Sequence, residues 1–256
     1  MDGPEPEITK NGVFDIIREN LKRAQSFLKR ALRKVLGKGG LPDGMQFYRP
    51  GRRGELNAGF QTYYRENADK ITKGEVPARY LRIAKLVPGE RVLEIGSADG
   101  TQSLVLARSK SLVCGVELMP MQFEEACELR KKWIKNGEDV ERCEFRNEDV
   151  LTSTIDLDGF DTVLMSRVLY HFRDSADAVL EKIAQSKVNN IVLVGCPIRE
   201  RNWREHGVSG DVMGKYASLA SQEGMESVLH EHDFHIVSSF SSEKGDDPMV
   251  VASRNL

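Results

Sequence analysis

The chain has 256 residues, 40% of them apolar, and its 37 lysines and arginines nearly balance 39 aspartates and glutamates, for a net charge of −2. That size and balance describe a chain with one good core, one domain plus an extension, rather than a disordered or fibrous protein. No run approaches the roughly 18 consecutive apolar residues of a membrane span, so none is expected.

Residues 1–7 are acidic and proline-bearing, the opposite of a secretory leader, so a cytoplasmic location is expected. Phe14, Ile17, Leu21, Ala24, Leu28, Ala31 and Val35 then recur at three- and four-residue steps, with Phe27, Leu32 and Leu36 widening the stripe. This predicts one amphipathic helix over residues 14–36, stopped by Gly37 and the Gly39-Gly40 pair. Residues 15–38 hold eight basic and two acidic side chains, which leaves the rest of the chain at −8. The basic stripe has three possible partners: the main domain or a second copy of the chain (homo-oligomer contact), an anionic lipid surface, or nucleic acid. On lipid it would hold the protein peripherally at the inner membrane surface. Residues 1–45 are therefore set apart from a main domain over 46–256.

Residues 41–54, rich in Gly, Pro and Arg, read as a linker, and 57–87 carry helical patterns that include Tyr63-Tyr64-Arg65 and 78–86. Strands are predicted at 91–96, 112–118, 142–147, 160–166, 190–196, 234–240 and 248–253. Helices are predicted near 101–109, 120–136, 173–186 and 222–231. Strands alternating with helices call for a parallel α/β sheet covered on both faces. Residues 243–247 are too few for a crossover helix, so the last two strands must form a hairpin. The result is a Rossmann-like, seven-stranded, mostly parallel sheet with an antiparallel C-terminal strand. The four cysteines, Cys114, Cys127, Cys143 and Cys196, contain no Cys-x-x-Cys pair and read as reduced thiols, without disulfide or zinc.

Residues 91–100, Arg-Val-Leu-Glu-Ile-Gly-Ser-Ala-Asp-Gly, run from an apolar strand into a glycine-bearing acidic turn. Glu117 ends a second strand about 20 residues later, the separation of one βαβ unit. Gly96 and Gly100 would let backbone approach a ligand, and the Glu117 carboxylate suits a ribose diol. The dinucleotide pattern Gly-x-Gly-x-x-Gly is not present. Glu94 and Asp99 in the turn would repel a pyrophosphate and favour a cation.

Residues 94–100 resemble the acidic-x-Gly-x-Gly-x-Gly motif of the class I S-adenosylmethionine-dependent methyltransferases, with Ala98 in place of the middle glycine. The resemblance covers roughly residues 60–256. It implies S-adenosylmethionine as cofactor, S-adenosylhomocysteine as product, and cofactor contacts from Glu94, Gly96, Ser97, Ala98, Gly100, Glu117, Leu118, Asp149, Val150 and Ser166. Glu117 matches the ribose-binding acid and Asp149 the acid that meets the adenine amino group. Ala98 is tolerated in this reading if its φ is negative. Glu94 has the plainer reading of a turn carboxylate, and Asp149 that of a capping residue.

After the fourth strand, Arg167-Val168-Leu169-Tyr170-His171-Phe172 resembles the Val-Leu-Tyr-His segment of wobble-uridine carboxymethyl-transfer enzymes and of glycan and small-molecule methyltransferases. His171 is a candidate base for an acceptor hydroxyl, or a histidine that holds its loop, and Arg167 is a candidate beside it. The long segment 197–221 carries Arg199, Arg201, Trp203 and Arg204, which suit an anionic or sugar-bearing acceptor, although Glu200 and Glu205 could pair them internally. Tyr63 and Tyr64 are candidate caps over the cofactor, and Arg49, Arg52 and Arg53 a weaker anion clamp. His230, His232 and His235 straddle a helix end and a strand start, so no metal is assigned. The expectation is methyl transfer to an oxygen or nitrogen acceptor, a small molecule or a membrane-associated glycan or lipid-linked intermediate. Alkyl transfer to a tRNA wobble uridine and a non-catalytic cofactor-binding assembly protein are the rivals.

Overall fold

A computed structural model describes residues 70–196, 216–240 and 247–254. In chain order these form α1 (Ala78–Leu86), β1 (Arg91–Ile95), α2 (Thr101–Ala107), β2 (Leu112–Val116), α3 (Pro120–Lys135), β3 (Cys143–Arg146), β4 (Thr162–Ser166), α4 (Ala176–Ala184), β5 (Asn190–Val194), α5 (Gln222–Glu231), β6 (His235–Phe240) and β7 (Met249–Ser253). The predicted helix over 14–36, the linker, Tyr63 and Tyr64, and the segment 197–215 lie outside the described residues. No described helix is long and apolar enough to cross a membrane.

The seven strands lie in the order β3-β2-β1-β4-β5-β7-β6. The first five pair in parallel, and β7 runs antiparallel to both β5 and β6. The expected hairpin of β6 and β7 is present, and β7 lies inside the sheet while β6 forms the edge. Side chains alternate across the pleat, so each central strand feeds two cores. Leu93, Ile95, Val163, Met165, Ile191 and Leu193 face α4 and α5, meeting Val179, Leu180, Met225 and Leu229. Val92, Val113, Leu164, Val192 and Val251 face the other way, toward Ile83, Leu104, Val105 and Trp133. Trp133 is fully buried, and its indole N–H donates to the Ile71 carbonyl at 2.6 Å.

Parallel strands carry their carboxyl ends to one edge. The turns after β1, β2, β3, β4 and β5 gather there, around the reversal of strand order between β1 and β4. At the opposite edge the Asp161 carboxylate accepts from the Glu90 and Arg91 amides at 2.8 and 2.9 Å, fixing β1 against β4.

Candidate functional site

The turn after β1 is pinned from below. The amides of Gly96 and Ser97 both donate to the Val116 carbonyl, at 2.8 and 3.1 Å. Glu117, just beyond β2 and 7% exposed, accepts from the Ala98 amide at 2.9 Å through Oε2 and from the Met119 amide at 2.8 Å through Oε1. Two backbone donors, one to each oxygen, thus fix the orientation of this carboxylate at the carboxyl end of β2. Asn147 closes the same corner from β3. Its side-chain amide donates to the carbonyls of Glu117 at 2.7 Å and Leu118 at 3.1 Å.

Gly96 and Gly100 have φ of +76° and +78°, as left-handed turn positions require. The space their missing side chains free is filled by protein rather than left for a ligand. A Cβ on Gly96 would lie 2.5 Å from Val168, and one on Gly100 2.5 Å from Phe145 and 2.7 Å from Ala126. Ala98 departs from expectation. Its φ is +48°, so the turn holds an alanine in the left-handed region rather than at negative φ.

Glu94 points across the sheet face toward α2, 2% exposed, and its Oε2 accepts from the Ser103 hydroxyl at 2.5 Å. Burial pushes its carboxyl up to about 8; the Ser103 bond opposes that shift, and the nearby Asp99 and Glu117 charges add to it. Gly115, opposite Glu94 in β2, makes the arrangement possible, because a Cβ there would meet Phe145 at 2.7 Å and the Ser103 hydroxyl at 2.8 Å.

Three polar atoms beside this turn have no hydrogen-bond partner among the described residues: Ser97 Oγ, Thr101 Oγ1 and Gln102 Oε1, on residues 4%, 0% and 4% exposed. Buried polar atoms are nearly always paired, so three orphans on one turn mark a place that a polar ligand completes. Ser97 precedes Ala98, whose amide donates to Glu117, while Thr101 and Gln102 open α2 and the Gln102 side-chain amide donates to the Tyr80 carbonyl at 3.2 Å; polar groups of this kind suit the ribose and amino-acid groups of S-adenosylmethionine. Of these residues the sequence motif names Ser97 alone; Thr101, Gln102 and Asn147 come from the structure. Polar residues just past the glycine turn were the available signal for Thr101 and Gln102.

The remaining predicted residues divide. Leu118 and Met119 follow Glu117, and Ser166 ends β4 at the switch in strand order. Asp149 is partly exposed, and its Oδ1 accepts from the Leu151 amide at 2.9 Å, the local turn contact of its plainer reading. Val150 is buried in the core, and its carbonyl accepts from Lys182 at 2.7 Å. His171 is half-buried in a short 3₁₀ turn, Leu169–His171, with its ring 4.4 Å from that of Tyr170. Arg167 is bound up with Asp247: Nε donates to Oδ2 at 2.7 Å and Nη2 to Oδ1 at 2.5 Å. Its fork is therefore committed to protein. His232 sits 3.9 Å from the Asp177 carboxylate. Arg199, Arg201, Trp203 and Arg204 lie outside the described residues.

Residues 64–239 match a family described as a methyltransferase domain. No curated protein matches the chain. Among solved structures, the chain is similar to magnesium protoporphyrin IX methyltransferase from Synechocystis with bound S-adenosylhomocysteine, at 18% identity and a TM-score of 0.52, covering 89% of this chain and 99% of that one. It is also similar to mitomycin 7-O-methyltransferase (18% identity, TM-score 0.54, 91% and 67%) and to the CurJ carbon methyltransferase (14% identity, TM-score 0.55, 91% and 70%). These likenesses are of fold.

Proposed function

The chain belongs to the methyltransferase-domain family, and from that premise we propose that it moves a methyl group from S-adenosylmethionine to an oxygen or nitrogen atom of a small acceptor. The observation that carries this reading is the Glu117 carboxylate, fixed by two amides, together with three orphaned polar atoms on the glycine turn and the start of α2. The Synechocystis neighbour holds S-adenosylhomocysteine on the same fold, which accords with it.

Bound there, S-adenosylmethionine supplies an electrophilic methyl group on a positively charged sulfur. Glu117 would hold the ribose, and Ser97, Thr101 and Gln102 would satisfy the polar groups nearer the turn. Acidic Asp99 and Glu117 suit the cation by charge. Methyl transfer then needs an acceptor lone pair aligned with the methyl–sulfur bond, and alignment is what a fixed turn and a fixed lip supply. His171, on the lip after β4, is in this reading the base for the proton an acceptor hydroxyl or amine sheds. The structural neighbours act at oxygen and at carbon by their names, so the fold leaves the acceptor atom open. A lipid-linked or glycan acceptor rests on residues 14–36 and draws no support from the described residues.

Calorimetric titration of S-adenosylmethionine and S-adenosylhomocysteine tests the reading. Micromolar binding by the wild-type protein, weakened at least roughly 100-fold in Glu117→Ala, is expected. Absence of binding by the wild-type protein overturns it.

A further inference from the structure

We propose that Arg167 and Asp247 are a positioning pair that seats the lip after β4 on the glycine turn after β1, so that cofactor affinity depends on an ion pair that acts through the seat of the lip. The inference rests on the S-adenosylmethionine reading above.

The pair joins residues 80 positions apart through two short, parallel N–H···O bonds. The Asp247 side chain is 9% exposed and that of Arg167 35%, so the carboxylate has given up nearly all of its water. Desolvation consumes much of what such a pair gains, which makes it a weak source of stability and a strong fixer of geometry. Arg167 also stands at φ +57°, a conformation that persists in a non-glycine residue only where its surroundings dictate it.

Those surroundings form a closed ring. The Arg167 amide donates to the Val194 carbonyl at the end of β5, and the Gly195 amide donates to Pro248 at the start of β7, both at 2.8 Å. Asp247, next to Pro248, completes the ring by holding the Arg167 guanidinium. A second tie runs parallel to it, between the side chains of Tyr170 and Cys196. The carboxyl end of β4 is thereby locked to β5 and β7 at once.

The next residue carries that lock to the cofactor side. Val168 presses on Gly96 so closely that a Cβ there would lie 2.5 Å from its methyl group. Gly96 and Ser97 share the Val116 carbonyl, and Ala98 donates to Glu117. A contiguous path thus runs from Asp247 through Arg167 and Val168 to the turn that holds the ligand.

The test is a double-mutant cycle read as S-adenosylhomocysteine affinity by calorimetry on the full chain, well below the unfolding midpoint. Asp247→Asn and Val168→Ala are each expected to weaken binding roughly tenfold. The double variant should be little weaker than either single one, because both substitutions break the same path to the turn. Arg167→Lys, which keeps the charge and loses the fork, should match Asp247→Asn and carries the test if that variant fails to fold. A lowered unfolding midpoint with unchanged affinity would make the pair merely structural and overturn the proposal. So would independent, multiplying losses. A wild-type protein that does not bind fails the cofactor reading itself, a result distinct from either.

Discussion

Glu94→Gln should make stability less sensitive to pH, and the size of the effect follows from where the carboxyl sits. Glu94 is 2% exposed beneath α2, and burial foremost pushes its carboxyl from 4.5 to about 8. An acid whose folded value lies above its unfolded one holds its proton more tightly when folded. Its contribution is complete below about 4.5 and is lost as pH climbs through about 8. Across that window the wild-type protein should lose about 1.4 kcal/mol per pH unit from this group, on the order of 5 kcal/mol at the limit. Glutamine does not titrate, fits the same space, and still offers an oxygen to the Ser103 hydroxyl. Urea unfolding of both proteins from about pH 5 to about pH 9 isolates the effect, because other titrations cancel in the difference. The variant should match the wild type within about 1 kcal/mol at the acid end and exceed it by several kcal/mol at the alkaline end. A difference that stays flat with pH, or shrinks as pH rises, would refute the reasoning.

The turn offers two further tests. Ala98→Gly relieves a left-handed alanine at φ +48° and should stabilise the protein by about 0.5–1 kcal/mol after the unfolded-state cost of glycine, raising the midpoint about 1–4 °C in a thermal scan. Gly100→Ala does the reverse, because its Cβ must enter a left-handed position against Phe145 and Ala126. It should cost about 2–5 kcal/mol in urea unfolding and abolish S-adenosylhomocysteine binding in the fraction that stays folded.

Periodicity and turn chemistry made the sheet legible. Each strand is found within two residues of its predicted limits, since alternating cores leave every central strand a run of β-branched and aliphatic residues. Glu117 was legible for the same reason, as an acid closing such a run. The turn was misread at Ala98, because φ is imposed by the Val116 and Glu117 contacts rather than by the alanine. Gly96 and Gly100 were assigned correctly as turn residues, with an incomplete cause: their space is taken by Val168 and Phe145, neighbours that spacing does not reveal. The pairing of Arg167 was beyond reach altogether. Its partner stands 80 residues away in a segment with no motif, so only the folded topology brings Asp247 to it.

The seat of β7 between β5 and β6 has a consequence for synthesis on the ribosome. When β5 emerges, its outer edge carries the open backbone groups of a fully apolar run, Ile191 to Val194, and the strand that covers it is still untranslated. β6 arrives first, but its place in the folded sheet is beyond β7. At about 5–20 residues per second the edge waits roughly 3–12 s for residues 249–253. An exposed apolar strand edge is where nascent chains pair wrongly with one another, so yield in a cell should depend on chaperone supply in that interval.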